Sequence, residues 1–352
     1  MSSLPEAIPC PDKPPLHLRG GYLCVAAPLN FTEACFSAPA VRALRALRPN
    51  STMVILCPRS QEELWKVMPE LDDVIVYPGR ASTNEITELI KMQKTTFESS
   101  IVWEVGNAAK AFKKAKIYQR LGYPIDGLLR LLTDEVDVVN APGPIKHRVR
   151  HYLDLVSRLC GDAYVPAAFQ TPKLPEVAGS LSIVISPNSS YGASYEWPVE
   201  RFHEVMTLMN ERYENIEWLI ISDFEPSTSR MKKGKDPCNK LKELINDSSV
   251  DFTFKMERYE VLGHLEQSSA LLACDGELAH LAAHLGLPAV VIFGPNESEW
   301  KRPLGKQSQV LREHVACSPC YLTKCPIDHR CQTKLTADMA VEKLEASLKL
   351  RG

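Results

Sequence analysis

The segment LLACDGELAHLAAHLGLPAVVIFGP, from Leu271 to Pro295, sets Asp275, Glu277 and His280 within six residues of one another. Apolar Ala270 to Ala273 predict a strand that breaks at Cys274-Asp275-Gly276. A helix starting near Glu277 puts Leu278, Leu281, Ala282 and Leu285 on one face. Gly286 and Pro288 end it, and Ala289 to Phe293 reads as a second short strand. A helix N-terminus at the end of a parallel strand offers free backbone N–H groups and a positive dipole end, a natural seat for phosphate. Asp275, Glu277 and His280 add groups suited to hydroxyls, so the expected ligand is both anionic and hydroxylated. Asp275 has a structural alternative as a helix N-cap, and His280 as a buried imidazole bonded to a carbonyl. Glu277, His280 and His284 share one helical face, with no further metal ligand indicated beside them.

A second cluster lies nearer the C-terminus, where Cys317, Cys320, Cys325 and Cys331 form a C-x2-C-x4-C-x5-C pattern with His329 close by. Four thiols in so short a stretch suit tetrahedral zinc, although only the first spacing is that of a common zinc knuckle. The alternative is a set of reduced thiols packing a loop. No resident cofactor is expected, a structural zinc on these cysteines being the one metal to test.

The elements that must position these groups alternate along the chain. In the first half, strands are expected at Tyr22 to Ala27, Met53 to Cys57, Val74 to Tyr77 and Ser100 to Val105. Helices fall between them at Ala38 to Leu47, Gln61 to Met68 and Thr83 to Met92, then Ala108 to Lys116 and His147 to Leu159. The pattern restarts with strands at Ser182 to Ser186, Trp218 to Ser222 and Phe252 to Lys255. Helices there are Val199 to Tyr213, Asn239 to Ile245, Tyr259 to Glu266 and Thr336 to Leu348, with a polar loop over Pro226 to Asp236. Such alternation argues for parallel sheets covered by helices on both faces. The expected division is a flexible leader (1–18), an N-terminal unit (19–165), a linker (166–180) and a C-terminal unit (181–352). At 352 residues the chain exceeds the size at which single cores split.

Composition excludes several classes. A hydrophobic content of 45% with 24% charged residues is that of a soluble globular protein. The net charge of −2 gives no electrostatic footprint for nucleic acid. No apolar run approaches the ~20 residues that span a bilayer, and MSSLPEAIPCPDKPP lacks the basic and apolar regions of a signal peptide. A cytoplasmic protein with reduced thiols is the expectation.

Three segments together resemble the ADP-heptose:lipopolysaccharide heptosyltransferase family, glycosyltransferase family nine, especially its heptosyltransferase II branch. DGELAHLAAHLGLPAVVIFGP matches the family's D-[ST]-G-x-x-H-x-A-A-x-x-x-x-P-x-[VI]-x-[LIVF]-[FY]-G-P signature. PNSSYGASYEWPVERF resembles its P-G-[AS]-x-[FY]-G-x-x-K-R-W-P-x-x-x-[FY] loop, and CSPCYLTKCPIDHRCQTKLT looks like its cysteine-bearing segment. The resemblance implies a GT-B fold, two doubly wound Rossmann-like α/β domains facing a central cleft. It also implies a metal-independent inverting transfer from a nucleotide sugar, of the ADP-heptose kind, to a lipid-linked or oligosaccharide acceptor. Contact with the cytoplasmic face of the inner membrane follows from such an acceptor. Glu33 stands where the family places an aspartate base; its structural alternative is a solvated carboxylate near a helix N-terminus. Asp275 and His280 match the family's motif residues at the donor sugar.

Departures fall on the phosphate-binding positions. The loop's lysine is Tyr195 here and its arginine Glu196, while the motif's hydroxyl residue and glycine are Gly276 and Glu277. One reading is a divergent transferase whose donor is held by backbone N–H groups, Ser189, Ser190 and Ser194, with Tyr195, Asp275, Gly276, Glu277 and His280 around it. The other is a catalytically degenerate family member that binds a glycan or a partner protein. An epimerase of the UDP-sugar 2-epimerase type would share the two-domain fold but not these motifs.

Overall fold

The computed structural model describes residues 16–137, 144–177, 180–224, 236–245, 250–253 and 258–351. The chain divides into two compact units at Gln170–Thr171. The leader expected over 1–18 falls outside the described residues up to residue 15, and so does the expected loop at 226–236 apart from Asp236.

The first unit runs β1 (Tyr22–Ala26), α1 (Phe31–Leu47), β2 (Thr52–Pro58), α2 (Glu62–Lys66), β3 (Asp73–Tyr77), α3 (Thr83–Lys91) and β4 (Ser99–Ile101). It continues with α4 (Asn107–Lys114), β5 (Gln119–Gly122), β6 (Asp134–Glu135) and α5 (Val149–Cys160). Its six strands form one parallel sheet in the order β3-β2-β1-β4-β5-β6. β2, TMVILCP, is buried from its second residue onward, as expected for a strand covered on both faces. Ile86 and Ile90 of α3 and Phe112 of α4 pack with Leu56, Ile75 and Val102 on one side of the sheet. A Ser82 capping box, with Glu85 closing back on the cap, starts α3 as its sequence requires.

One element differs from its expectation in a way that bears on function. The first helix begins at Phe31, not Ala38, so Glu33 belongs to the helix's first turn and not to a loop. The Asn30 side chain caps it by accepting the Glu33 N–H at 3.0 Å. Pro39 invites a later start because it removes a backbone donor. Burial of Phe31, Ala34, Cys35, Phe36 and Ala38 carries the helix through it.

The second unit comprises β7 (Ser182–Ser186), α6 (Val199–Arg212), β8 (Glu217–Ile221), α7 (Pro237–Ile245), β9 (Asp251–Thr253), α8 (Arg258–Gln267) and β10 (Ala270–Cys274). It ends with α9 (Glu277–Leu285), β11 (Ala289–Phe293), α10 (Ser298–Lys301), β12 (Ser308–Arg312), α11 (Arg330–Thr333) and α12 (Ala337–Leu348). Its sheet is again parallel, in the order β12-β11-β10-β7-β8-β9. Trp197, Phe202, Met206, Leu272, Val290 and Leu344 belong to its core. Both sheets carry the doubly wound order, so each has a switch point between its first and fourth strands where loops diverge to opposite faces. Among the described residues, no helix is long and apolar enough to cross a membrane.

Candidate functional site

In the N-terminal unit the loop and first helical turn after β1 lie at the switch point. Glu33 projects from α1 toward α5, where Arg148 Nε meets its Oε2 at 2.8 Å and the Tyr152 hydroxyl donates to the same oxygen at 2.6 Å. Arg148, the N-cap of α5, and Tyr152 are four residues apart, so both fall on one side of the helix's first turn. Trp103 and His151 pack edge-on against the Tyr152 ring, each at 5.1 Å between centroids. Burial, and then Arg148, lower His151 to about 4, so its imidazole is neutral at physiological pH. Glu104, in the loop after β4, is raised by burial even though it accepts the Leu29 N–H at 2.6 Å. Glu33 is thus a carboxylate fixed by a cation and a phenol. Neither partner stood out in the sequence; the Arg-x-x-x-Tyr spacing on an amphipathic helix was the available signal.

In the C-terminal unit the loops after β7, β8 and β10, three adjacent strands, bring most of the expected donor residues together. Asp275 is fully buried; its Oδ2 accepts from Asn296 Nδ2 at 2.9 Å, and its Oδ1 has no hydrogen-bond partner among the described residues. Burial pushes Asp275 up to about 7, with the neighbouring Asp223 adding to the rise. Ser189 donates its hydroxyl to the Asp275 carbonyl at 2.5 Å. Ser190 Oγ accepts the Glu277 N–H at 3.4 Å. Glu277 pairs with Arg258 at 3.3 Å, and burial, followed by Asp223, raises it to about 7. Tyr195 is buried with its ring edge-on to Tyr191 at 5.5 Å; burial and Asp275 push its hydroxyl up to about 12. His280 sits buried on α9, one turn beyond Glu277.

Ser194 turns elsewhere. Its hydroxyl donates to the Leu322 carbonyl and its N–H to the Thr323 carbonyl at 3.2 Å, tying the β7 loop to the cysteine-bearing segment. That segment is pinned by other bonds as well. Ser318 Oγ donates to the Gly294 carbonyl at 2.5 Å, the Cys320 N–H to the Pro295 carbonyl at 2.9 Å, and His329 Nε2 lies 2.8 Å from the Ser194 carbonyl. Among the described residues no group of three or more His, Cys, Asp or Glu is placed to hold a metal ion. Cys317 is exposed and Cys331 buried, while the hydrogen bonds above order the loop.

The residue that sequence reading missed is Asp223, just past β8. It is buried, and the N–H groups of Ser190 and Leu278 donate to it at 2.6 and 2.7 Å, with that of Glu277 at 3.3 Å. The N-terminus of α9, expected to be open for phosphate, therefore already carries a carboxylate. Gly276 makes room for it: a Cβ there would lie 2.2 Å from Asp223 Oδ2. Since Gly276 has an extended backbone, space and not conformation requires the glycine. Asn188, where the loop pattern has glycine, accepts the Asp223 N–H at 2.8 Å and donates to Ser222 at 2.9 Å.

Two doubly wound units with polar groups gathered beyond their central strands define a GT-B type sugar-transferase fold. The sequence profile of glycosyltransferase family 9 (heptosyltransferase) matches residues 136–330, and the chain belongs to that family. It is 23% identical over 322 residues to the lipopolysaccharide heptosyltransferase 2 of Salmonella typhimurium, covering 82% of this chain and 87% of that one. It is 21% identical over 339 residues to the lipooligosaccharide heptosyltransferase 2 of Haemophilus influenzae, covering 87% and 93%. Among solved structures it resembles the ADP-heptose lipopolysaccharide heptosyltransferase II of E. coli with a TM-score of 0.73 at 18% identity, over 93% of this chain and 98% of that one.

Proposed function

We propose that the protein is an inverting, metal-independent transferase that moves a heptose or related sugar from a nucleotide-sugar donor of the ADP-heptose kind. The acceptor is a lipopolysaccharide-core or other surface-glycan hydroxyl, met at the cytoplasmic face of the inner membrane. Residues 19–165 serve the acceptor and 181–352 the donor, with 166–180 as the linker. Family membership supports the reaction class, and the named relatives support the donor and acceptor. The observation that carries the donor assignment is Asp275, a fully buried carboxylate whose Oδ1 lacks a partner among the described residues. A buried acceptor of this kind is costly unless something donates to it, and a sugar hydroxyl does so.

In this reading Glu33 takes the proton of the acceptor hydroxyl as that oxygen attacks the anomeric carbon, and the nucleoside diphosphate leaves. Arg148 and Tyr152 fix the orientation of that carboxyl group. Ser189, Ser190, Tyr195, Asp275, Gly276, Glu277 and His280 form the donor site, with Ser194 bracing it from behind. The reading is tested by thermal shifts with ADP-, GDP- and UDP-sugars, followed by transfer assays on Glu33→Gln. The substitution is expected to lower turnover by ~10²–10⁴ while leaving donor binding intact. Wild-type turnover in that variant would show Glu33 to be an ordinary helix-terminal carboxylate.

A second reading, a non-catalytic family member that binds a glycan or a partner, is favoured by one observation. The site is rich in carboxylates, with Glu196, Asp223, Asp275 and Glu277 all raised by burial. Absence of any nucleotide-sugar shift in the thermal screen would select it.

A further inference from the structure

Three backbone donors that a diphosphate would use at this site are Ser190 in the β7 loop and Glu277 and Leu278 at the head of α9. All three are engaged by one of the chain's own carboxylates, donating to Asp223 at 2.6, 3.3 and 2.7 Å. A carboxylate with this many donors around it occupies the place of a bound phosphate oxygen.

The arrangement is built, not incidental. Asp223 is 4% exposed, Asn188 holds its backbone at 2.8 Å, and Gly276 lacks the Cβ that would collide with it. Two positions at which this chain departs from the family pattern, Asn188 and Gly276, both touch this single feature.

We infer that Asp223 is a resident anion that fills the phosphate seat and sets the site's discrimination against a diphosphate. A ligand phosphate must displace Asp223 or forgo the head of α9. In either case the wild-type protein binds a bare nucleoside diphosphate weakly. This inference rests on the donor-site reading above.

The test uses the full-length protein, ADP and inorganic pyrophosphate as probes, and isothermal calorimetry as the readout. Asp223→Ser vacates the seat, and Asp223→Asn removes its charge while keeping its size. Circular dichroism melts report folding. At least a tenfold gain in ADP affinity in either folded variant over wild type is the expected result. A gain for pyrophosphate without one for ADP upholds the seat and sinks the nucleotide-donor reading. Equal ADP affinity in wild type and variants overturns the inference while that reading stands. Failure of every folded form to bind either probe overturns both. Should neither variant fold, amide exchange of wild type decides. Protection of Glu277 and Leu278 gained at stoichiometric ADP would show that Asp223 does not hold the seat against a diphosphate and would overturn the inference, whereas unchanged exchange under the same conditions upholds it.

Discussion

Replacing Glu196 by glutamine should remove a measurable pH dependence from the stability of the C-terminal unit. Burial raises this carboxyl from 4.5 to about 7, with Asp236 adding to the rise and the Ser189 N–H opposing it. A carboxyl whose folded value lies above its unfolded one binds its proton more tightly in the folded state. Its contribution is therefore fully present below about pH 4.5 and is lost as pH climbs through the window to about 7. A gap of about 2.5 pH units at about 1.4 kcal/mol each gives roughly 3 kcal/mol, reduced to about 2 because the side chain is only partly enclosed. Glutamine keeps the size of the side chain and has no proton to lose. Urea unfolding should be followed by tryptophan fluorescence, since the adjoining Trp197 is 1% exposed and reports on this loop. At pH 5 the two proteins should unfold at similar urea concentrations, and at pH 8 the variant should be the more stable by about 2 kcal/mol. Asp275 and Glu277 titrate over the same range in both proteins and largely cancel in the comparison. A stability difference that stays constant between pH 5 and pH 8 would refute the argument.

Two further outcomes bear on the same site. Gly276→Ala should destabilise the protein by about 2 kcal/mol or more through overpacking against Asp223. Adding Asp223→Gly should recover part of that loss in a thermal melt, and strict additivity of the two changes would show that they do not meet. Tyr195→Lys should raise ADP affinity no more than about threefold by calorimetry, because a restored charge leaves the three N–H groups on Asp223 engaged. A gain of about tenfold or more from that substitution alone would show that charge, and not donor occupancy, limits the site.

What could be read from the sequence followed the physics of local pattern. β7, SIVIS, and β11, AVVIF, were placed to the residue because continuous β-branched runs between polar breaks have few other solutions. β5, β6 and β12 were missed, because QRLG, DE and SQVLR are too short or too polar to announce a strand without the neighbour they pair with. The turn at Asp275 was legible since strand, break and helix lie within one short segment. Its true partners were not: Asp223 precedes it by fifty-two residues and is joined to it only through the order of β10, β7 and β8. Likewise Glu33 meets Arg148 and Tyr152 across more than a hundred residues. A pairing of that kind leaves no local trace, and no periodicity in a single chain encodes it.

The altered residues of the β7 loop and the α9 turn make better sense together than singly. Taken one by one, the replacement of lysine and arginine by Tyr195 and Glu196 reads as the loss of two cations, and Gly276 as the loss of a hydroxyl. In space Gly276 and Asn188 belong to one exchange, in which an anion site that awaits a ligand becomes one that satisfies itself. Asp223 takes three N–H donors, Gly276 supplies the clearance and Asn188 holds the incoming strand end. Each buried group here is paired through another, so reversing one position strands its partner: vacating Asp223 leaves three N–H groups seeking an acceptor. That cost is also the driving force for ligand capture, since a phosphate oxygen is the acceptor those groups lack. The chemistry of transfer then depends on whether a donor's diphosphate can compete with an internal carboxylate. Arg258, paired with Glu277 at 3.3 Å and lying 3.8 Å from the centroid of the Phe224 ring, is a cation adjoining that competition.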